Sequence, residues 1–424
     1  MVTKTYVIAK GVRLHYIKTD KFKTNYISIN LLAPRSEKLS HYNAMIPMIV
    51  SRASKKYPTQ AEINKKLQYL YSADIAAVNT TYGEYQIIGL KSNVLNNRFT
   101  GELDVHKEIL EFLCQLFFEP YLENGVFSKK YVKTEKQNLI DAIESEINNK
   151  GAYASKRLLS EMCKDEVYSI SKLGKKESVK KITPKSLYNA YKRALKTYPV
   201  EIYVVGECDI NVAVDKMTEY FGKIDRKPLK IDSVDIKLKA DSVKQVADIE
   251  KVTQGKLAIG FRTGYDYKEN RYYLLQLVNE IFGGSPVSKL FVNVREKMSL
   301  CYTCRSSVAQ KNGLMVVNSG IEFKNKEIAE KAILDQLEQI KRGEVTSQEF
   351  ESAKKSLING FKAIYDSAEV MERWVLYRDL CGLMSTPLEE CEKVKNATLE
   401  EVQELASRIT LDTVYFLKGE ESDD

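Results

Sequence analysis

Two spacings of apolar residues alternate along the chain, and their order in the first half recurs in the second. Alternation at every second residue, typical of half-buried strands, predicts strands in both halves: 6–17, 26–32, 73–79 and 85–91, then 257–262, 300–308 and 314–321. A Lys-rich turn separates the first two segments, which are therefore predicted to pair as a hairpin. Helical spacing fills much of the rest, chiefly 105–163 and 327–383. Each half thus predicts helices packed against a sheet.

A further sign of duplication is the likeness between two segments, Val179–Glu207 and Val394–Glu420. In each, a Thr begins an amphipathic helix, a short turn follows, and an apolar strand ends in Gly-Glu. The offset between them is too long for a solenoid repeat and fits a duplicated domain. The fold class is predicted to be α+β, with two homologous halves that each hold a mostly antiparallel sheet and its helices. The halves are placed at 1–228 and 242–424, with a charged linker at 229–241.

The stretch Ile281–Tyr302 combines a helix end, a tight turn, a second helix and a strand start. Gly283–Gly284 is predicted to supply the freedom in φ that ends the first helix abruptly, and Ser285–Pro286 is predicted to begin the next helix. Apolar residues at 287, 290, 291 and 294 follow the spacing of one buried stripe. The second helix is therefore predicted to bury that stripe.

Arg295 lies at the predicted end of this helix, and Tyr302 follows seven residues later on a predicted strand. The two side chains could donate hydrogen bonds to a peptide carbonyl. Alternatively, Arg295 could stabilise the helix C-terminus beside a half-buried Tyr302. The residues alone favour the second, structural role.

Composition restricts the classes of function. The chain has 424 residues, of which 44% are hydrophobic and 29% charged, so it can bury a large core and is not expected to be disordered. The net charge of +8 is spread along the sequence, which indicates a solvated surface rather than a nucleic-acid groove. Apolar runs are interrupted by Lys and Arg, so no signal peptide or membrane span is expected, and the predicted location is cytoplasmic.

The seven cysteines are odd in number and scattered, as expected of reduced thiols. Cys301 and Cys304 have the spacing of a redox or zinc pair. They fall on a predicted strand, however, where residues i and i+3 point to opposite faces. Two separate core thiols are therefore predicted.

The motif G-G-S-x-x-S-x-L-F-x-x-V-R-E-x-x-x-L-x-Y, at 283–302, resembles the M16 peptidase family of insulinase, pitrilysin and mitochondrial processing peptidase. The resemblance implies two α/β-roll halves of the LuxS and processing-peptidase type. In that family the first half carries an inverted zinc motif, H-x-x-E-H, and a later Glu completes the metal site. The second half carries an Arg and a Tyr that reach the substrate, and Arg295 and Tyr302 match that pair.

The zinc positions can be aligned from S-K-K-Y-P-T at 54–59 and from Glu135. The positions of the metal-binding His, general-base Glu and distal Glu are then occupied by residues that cannot do this chemistry: Ala44 and Met48 for the two His, Pro47 for the base and Ala142 for the distal ligand. The three histidines, at 15, 41 and 106, are not within ligand spacing of each other. No complete catalytic set and no metal site is expected in this chain.

The resemblance extends to two-subunit members of the family and to non-catalytic homologues from Firmicutes associated with modification of elongation factor P. It implies a subunit that supplies Arg295 and Tyr302 to a partner with an intact H-x-x-E-H, with zinc only in that partner. The expected substrate is an extended peptide that is added to the strand at Asn79 and Thr80, and Gly283 and Gly284 of the turn are also expected to contribute to binding. A homodimer or a non-proteolytic peptide-binding scaffold remains an alternative. A self-sufficient zinc endopeptidase ranks last because the ligands are missing.

Overall fold

The structure, a computed structural model, describes residues 3–419. The chain forms two compact units, each built from three segments. Unit 1 comprises Met1–Glu144, Ile170–Ser233 and Ser367–Tyr377, and unit 2 comprises Ser145–Ser169, Val234–Asp366 and Arg378–Asp424.

Unit 1 combines a six-stranded sheet with a layer of helices and one two-stranded hairpin. Its strands are β1 Thr3–Ala9, β2 Val12–Lys18, β3 Thr24–Pro34, β4 Ala76–Tyr82, β5 Tyr85–Leu95, the hairpin β6 Leu122–Glu123 and β7 Val126–Phe127, and β8 Val200–Gly206. The helices that begin in its first two segments are α1 Ser40–Val50, α2 Gln60–Tyr69, α3 Val105–Phe118, α4 Lys129–Ser145, α6 Lys176–Lys180, α7 Pro184–Thr197 and α8 Ile210–Gly222.

The sheet of unit 1 has the order β1-β2-β8-β3-β5-β4, with β2 and β8 parallel and the other pairs antiparallel. The predicted hairpin of 6–17 with 26–32 is wrong, because β8 lies between β2 and β3. The opening hairpin is instead β1 with β2, which turn at Gly11 with φ of +67°. Strand β4, at one end of the order, is an edge strand.

The two faces of this sheet differ in character. One face carries apolar side chains such as Ile29, Ile88 and Ile202, which join α1, α3 and α7 in the main core of the unit. The other face carries polar side chains at alternate positions of β3, among them Tyr26, Ser28 and Asn30. Helix α12, Ala368–Leu380, packs its Glu372 against that polar face.

Unit 2 repeats this architecture with five strands. They are β9 Lys244–Ile249, β10 Gly255–Arg262, β11 Cys301–Ala309, β12 Leu314–Ile321 and β13 Thr410–Lys418. Its helices are α5 Lys150–Met162, α9 Tyr272–Asn279, α10 Lys326–Lys341, α11 Ser347–Ala363, α13 Pro387–Asn396 and α14 Leu399–Ser407, with π-helical turns at Glu280–Gly284 and Leu290–Lys297.

The order β11-β12-β10-β13-β9 reproduces five strands of the first sheet, since β9 and β13 are parallel just as β2 and β8 are. In this correspondence β11 takes the place of the edge strand β4. The like segments noted in the sequence occupy equivalent places, because Thr183 caps α7 before β8 and Thr398 caps α14 before β13. The duplicated α+β fold is thereby confirmed.

Each unit contains one helix that comes from the other half of the sequence. Helix α5 packs against β10 and β13 through Ala154 and Leu158, and α12 packs in unit 1. The chain passes between the units at Ser233 and Val234, inside the predicted linker 229–241. The two units are therefore not the continuous ranges 1–228 and 242–424. Residues 145–169 pack their apolar side chains on the sheet of unit 2, and residues 367–377 place Glu372 on the sheet of unit 1.

The second helix of the stretch 281–302 differs from its predicted form. A turn occupies 286–288, and the helix that follows is π-helical, with the Met298 N–H donating to Asn293 O at 2.9 Å. Val287, predicted to belong to the buried stripe, is 49% exposed, whereas Leu290 and Val294 are fully buried. No helix within residues 3–419 is both long and apolar enough to cross a membrane.

Candidate functional site

Helix α1 carries the three positions that the resemblance assigns to metal ligands and base. Ala44 and Pro47 are buried, and Met48 is half-buried against the core of unit 1. Apolar side chains that are packed in this way provide neither a nitrogen nor an oxygen ligand. The structure thus places these positions inside the core.

Helix α4 carries the position of the distal ligand. Ala142 lies exposed near the end of this helix, two turns beyond Glu135. Glu135 is buried and accepts from Asn138 Nδ2 at 3.0 Å, with Arg52 Nη1 at 3.5 Å. The neighbouring Asp141 is exposed and accepts from Gln137 Nε2 at 2.7 Å. Helix α4 therefore retains a structural carboxylate but offers no ligand at position 142.

The three histidines lie on separate elements and have separate environments. His15 on β2 has its Nε2 2.7 Å from Glu201 Oε2 and stacks on Tyr203. His41 lies at the start of α1, where burial lowers its pKa. His106 on α3 is buried without a hydrogen-bond partner for either ring nitrogen, and burial lowers its pKa to about 4. Across residues 3–419, no three His, Cys, Asp or Glu side chains group in a way that could hold a metal ion.

The edge strand β4 holds the two residues predicted to contact a peptide. Asn79 is engaged inside the protein, since its Nδ2 donates to Lys172 O at 3.1 Å and its Oδ1 accepts from Gln86 Nε2 at 2.9 Å. Thr80 points to the opposite face of the sheet, towards Tyr377 of α12. Strand β4 pairs with β5 alone, so its outer backbone edge remains the feature that an added strand could use.

A cavity of about 220 Å³ lies beside Thr80, between β4 and α12. Its floor contains the carboxyl group of Glu372, which accepts from Tyr26 Oη at 2.6 Å, Ser28 Oγ at 2.6 Å and Asn30 Nδ2 at 2.7 Å. Burial raises the pKa of Glu372, although these three donors oppose that effect.

No motif or spacing in the sequence points to Glu372. The alternation of Tyr26, Ser28 and Asn30 within an otherwise apolar strand was the one local signal of a polar face. No sequence spacing links these residues to a carboxylate more than 340 positions away.

The Gly-Gly turn of unit 2 is required for close packing. A Cβ at Gly283 would lie 2.7 Å from Ser306 N on β11 and 2.7 Å from Leu290 Cδ1. At Gly284 it would meet Asn279 Nδ2 at 2.4 Å. Neither glycine has a positive φ, so the prediction that they supply unusual φ angles is wrong. Their role is to let the first π-helical turn approach its neighbours.

Arg295 lies in the second π-helical turn and is partly accessible. Its guanidinium lies over the Phe291 ring at 4.5 Å and has its Nε 3.5 Å from Glu296 Oε1, with 37% of the side chain exposed. π-Helical turns are rare and frequently occur at functional sites. Because part of the side chain is exposed, the guanidinium can donate a hydrogen bond to a further acceptor.

Tyr302 lies at the start of the edge strand β11 and is 65% exposed. The pairing with β12 shifts by one residue between Cys301 and Thr303, so Tyr302 is the extra residue of a β-bulge. The helical segment of Arg295 packs against β11, and the Arg295 charge contributes to lowering the pKa of Cys301, next to Tyr302. The structure therefore brings Arg295 and Tyr302 to the same end of β11.

The same bulge overturns the expected orientation of Cys301 and Cys304. In a regular strand they would point to opposite faces, but the extra residue resets the alternation, and both are buried, at 8% and 1% exposed. The hydrogen bond between the two thiols is the main cause of both pKa shifts: it lowers the pKa of Cys301 to about 7 and raises the pKa of Cys304. Burial opposes the lowering at Cys301 and adds to the raising at Cys304. The two thiols form one pair instead of two separate core residues.

Comparison with known proteins agrees with this architecture. A family model described as "Peptidase M16 inactive domain" matches residues 181–357, the part that contains Arg295 and Tyr302. The chain is 34% identical over 413 residues, 97% of its length and 96% of the relative's, to "Probable inactive metalloprotease YmfF" of Bacillus subtilis (strain 168). It is also 28% identical over 163 residues, 38% of its length and 40% of the relative's, to "Uncharacterized zinc protease YmxG" of the same strain.

A solved structure of a conserved protein from Enterococcus faecalis V583 has the same fold. It superposes with a TM-score of 0.91 at 28% sequence identity, and the match covers all of both chains. The overall fold of this chain is thus shared with a solved structure.

Proposed function

The chain belongs to the peptidase M16 family, as a homologue of an inactive metalloprotease, and from this premise we propose that it is a substrate-binding subunit of a two-chain zinc peptidase. The zinc and the H-x-x-E-H motif come from a partner chain of the same family. This chain supplies Arg295 and Tyr302, which donate hydrogen bonds to a carbonyl of the substrate. A homodimer of this chain is the alternative to that pairing.

The observation that supports this proposal most is the contrast between the two sets of site residues. The metal positions on α1 are filled by core side chains, of which Ala44 is 1% exposed. Tyr302, in contrast, is an exposed aromatic residue in the bulge of an edge strand. Neither core packing nor strand pairing requires that arrangement. Exposed Tyr and Arg side chains are typical of surfaces that bind a partner or substrate.

The proposed substrate is an extended peptide. An edge strand that is paired on one side presents unused backbone donors and acceptors, which bind a peptide with little dependence on its sequence. Strand β4 of unit 1 has this property. Since the Asn79 side chain is held by Lys172 and Gln86, the backbone rather than that amide contacts the peptide.

The proposed partner is a relative that retains the zinc motif. Bacillus subtilis (strain 168) has one relative named a probable inactive metalloprotease and another named an uncharacterized zinc protease, which supports a pairing of two such chains from one organism. The process in which such a pair would act is the modification of elongation factor P, which only the resemblance to Firmicutes homologues suggests.

The experiment mixes the purified chain with the H-x-x-E-H relative from its own organism and follows cleavage of a quenched fluorescent peptide. Cleavage is expected from the mixture and not from this chain alone, because this chain contributes no metal ligands. Tyr302→Phe is expected to lower kcat about 100-fold without dissociating the complex, since one donor to a developing oxyanion is lost. Arg342→Ala, at a side chain 57% exposed on the end of α10, is the matched surface control.

Three outcomes would contradict the proposal. Failure of the two chains to form a complex would remove the partner. A complex in which Arg295→Phe and Tyr302→Phe leave the rate unchanged would favour the second candidate, a scaffold that binds peptides without proteolysis. The edge strand β4 favours that candidate, because its backbone can bind an extended peptide whether or not the peptide is then cleaved. Chelator-sensitive cleavage by this chain alone, with one zinc per chain, would restore a self-sufficient peptidase.

A further inference from the structure

The thiol pair at the bulge of β11 has a geometry that its sequence spacing conceals. Cys301 pairs with Ile321 and Cys304 with Ser319, two residues apart on the partner strand β12. The bulge therefore compresses three residues of β11 into the length of two residues of β12. In strand geometry that length is about 6.6 Å, whereas a regular strand would separate residues i and i+3 by about 10 Å.

A disulfide requires Cα atoms about 4.4 to 6.8 Å apart and side chains on a common side. The compressed spacing lies within that range, and the paired residues Ser319 and Ile321 share one face of the sheet, so the two thiols do as well. All seven cysteines are free thiols in the structure. We propose that Cys301 and Cys304 close a reversible disulfide across the bulge that carries Tyr302.

The chemistry needs an oxidant of the peroxide class. A thiolate at Cys301 attacks one peroxide oxygen, which releases water or hydroxide and leaves a sulfenic acid. Attack by the Cys304 sulfur then forms the S–S bond and releases a second water. Two thiols and one hydrogen peroxide thus give one disulfide and two water molecules, and a dithiol reductant reverses the oxidation.

Two features make Cys301 the attacking sulfur. It is the more exposed of the pair, and its pKa is lowered to about 7 by hydrogen bonding with Cys304 and, to a smaller extent, by the Arg295 guanidinium. Cys304 is 1% exposed and its pKa is raised, which suits a resolving thiol that reacts only with its neighbour.

The disulfide has a structural consequence for Tyr302. The bulge residue is the one member of this end of β11 without a paired partner on β12. A covalent bond between the residues on either side of it fixes the bulge and prevents a return to regular pairing. Oxidation therefore rigidifies the segment that presents the Tyr302 ring. This inference does not depend on the proposed peptidase role.

The experiment uses the full chain and mass spectrometry. Trypsin cuts after Lys297 and Arg305, so one peptide, 298–305, contains both cysteines. After hydrogen peroxide and alkylation in denaturant, this peptide is expected without alkyl groups and two hydrogen masses lighter than its reduced form. Prior treatment with dithiothreitol should restore two alkyl groups. Cys391, buried with its thiol donating to Ile358 O at 3.7 Å, should be alkylated in both samples.

Variants make the result specific. Cys304→Ser should leave Cys301 as a sulfenic or higher acid, and Cys301→Ser should leave Cys304 reduced and alkylated. Hydrogen exchange of the amides at 302 and 303 should slow several-fold in the oxidised chain. Two alkyl groups on the peptide after peroxide treatment, or oxygen adducts alone, would overturn the disulfide. Unchanged exchange at 302 and 303 would overturn its effect on Tyr302.

Discussion

At the scale of single residues, the carboxyl group of Glu372 is buried among hydrogen-bond donors of the first sheet. It is 6% exposed and accepts hydrogen bonds from Tyr26, Ser28 and Asn30. Burial is the largest influence and raises its pKa above the ordinary value of 4.5, so the folded protein holds this proton more tightly than the unfolded chain does. The contribution of Glu372 to stability is therefore fully present below pH 4.5 and decreases as the pH rises through its higher folded pKa.

Replacement of Glu372 tests both the sign and the size of this effect. Glu372→Gln keeps the shape and removes the titration, so its melting temperature relative to the wild type should improve as the pH is raised from 4.5. Glu372→Ala leaves three buried polar groups without their acceptor and should cost about 2 to 4 kcal/mol. Melting curves by circular dichroism at several pH values measure both changes. A Glu372→Gln difference that is constant with pH would contradict the assigned pKa shift.

A linear motif can mark single residues in a sequence, whereas a tertiary contact leaves no trace in residue spacing. Arg295 and Tyr302 were identified from one linear pattern, and the structure brings both to the same end of β11. The orientation of Cys301 was predicted wrongly because one extra residue reverses the alternation of a strand. Such a bulge leaves no signal in residue spacing, since it depends on the pairing with β12.

Among the elements, the two π-helical turns at Glu280–Gly284 and Leu290–Lys297 hold Arg295 beside β11. The apolar spacing predicted an α-helix there, and it identified the buried Leu290 and Val294 correctly. It missed the wider turns because Leu290 and Val294 can face the core in either form. The first of these turns lies close to β11, and only the absence of a side chain at Gly283 permits that approach. Such a contact between elements leaves no signal in the apolar spacing.

Gly283→Ala should therefore destabilise unit 2. The added methyl would lie 2.7 Å from Ser306 N and from Leu290 Cδ1, so the turn must move, at a cost of about 1 to 3 kcal/mol. Gly360→Ala on α11 is the matched control, because nothing lies within 4 Å of its added methyl and a helix interior favours Ala by about 0.5 to 1 kcal/mol. Urea unfolding of the two variants should give changes of opposite sign. A neutral Gly283→Ala would show that the turn is not held by this packing.

The order of strands is another element-level property that the local pattern could not supply. The hairpin predicted from 6–17 and 26–32 fails because β8, which begins at Val200, inserts between β2 and β3. A parallel neighbour that arrives so much later in the chain produces no turn signal. The duplication of the fold, in contrast, could be predicted, because the Thr-capped helix and apolar strand occur in both halves.

At the scale of the whole molecule, the two units share the chain in an interleaved way. Residues 145–169 belong to unit 2 although they lie in the first half, and 367–377 belong to unit 1 although they lie in the second. Helix α12 contributes Glu372 and the ion pair of Glu369 with Lys91, at 2.6 Å, to the first unit. Helix α5 contributes apolar contacts to the second. Each half of the sequence is thus incomplete without a segment of the other.

Cutting the chain inside 229–241, through an inserted protease site, should therefore not separate its halves. Each fragment retains a helix that is packed in the unit formed mainly by the other fragment, so the pair should elute together at the position of the intact 48.5 kDa chain and melt as before. Residues 1–233 produced alone lack α12, which covers Tyr26 and Ser28. They also lack β10 and β13, so the apolar side chains Ala154 and Leu158 of α5 lose their partners. That fragment should bind an apolar dye and melt at a lower temperature. If the cut halves separate at micromolar concentration, or if 1–233 melts like the full chain, the exchange of helices does not stabilise the protein.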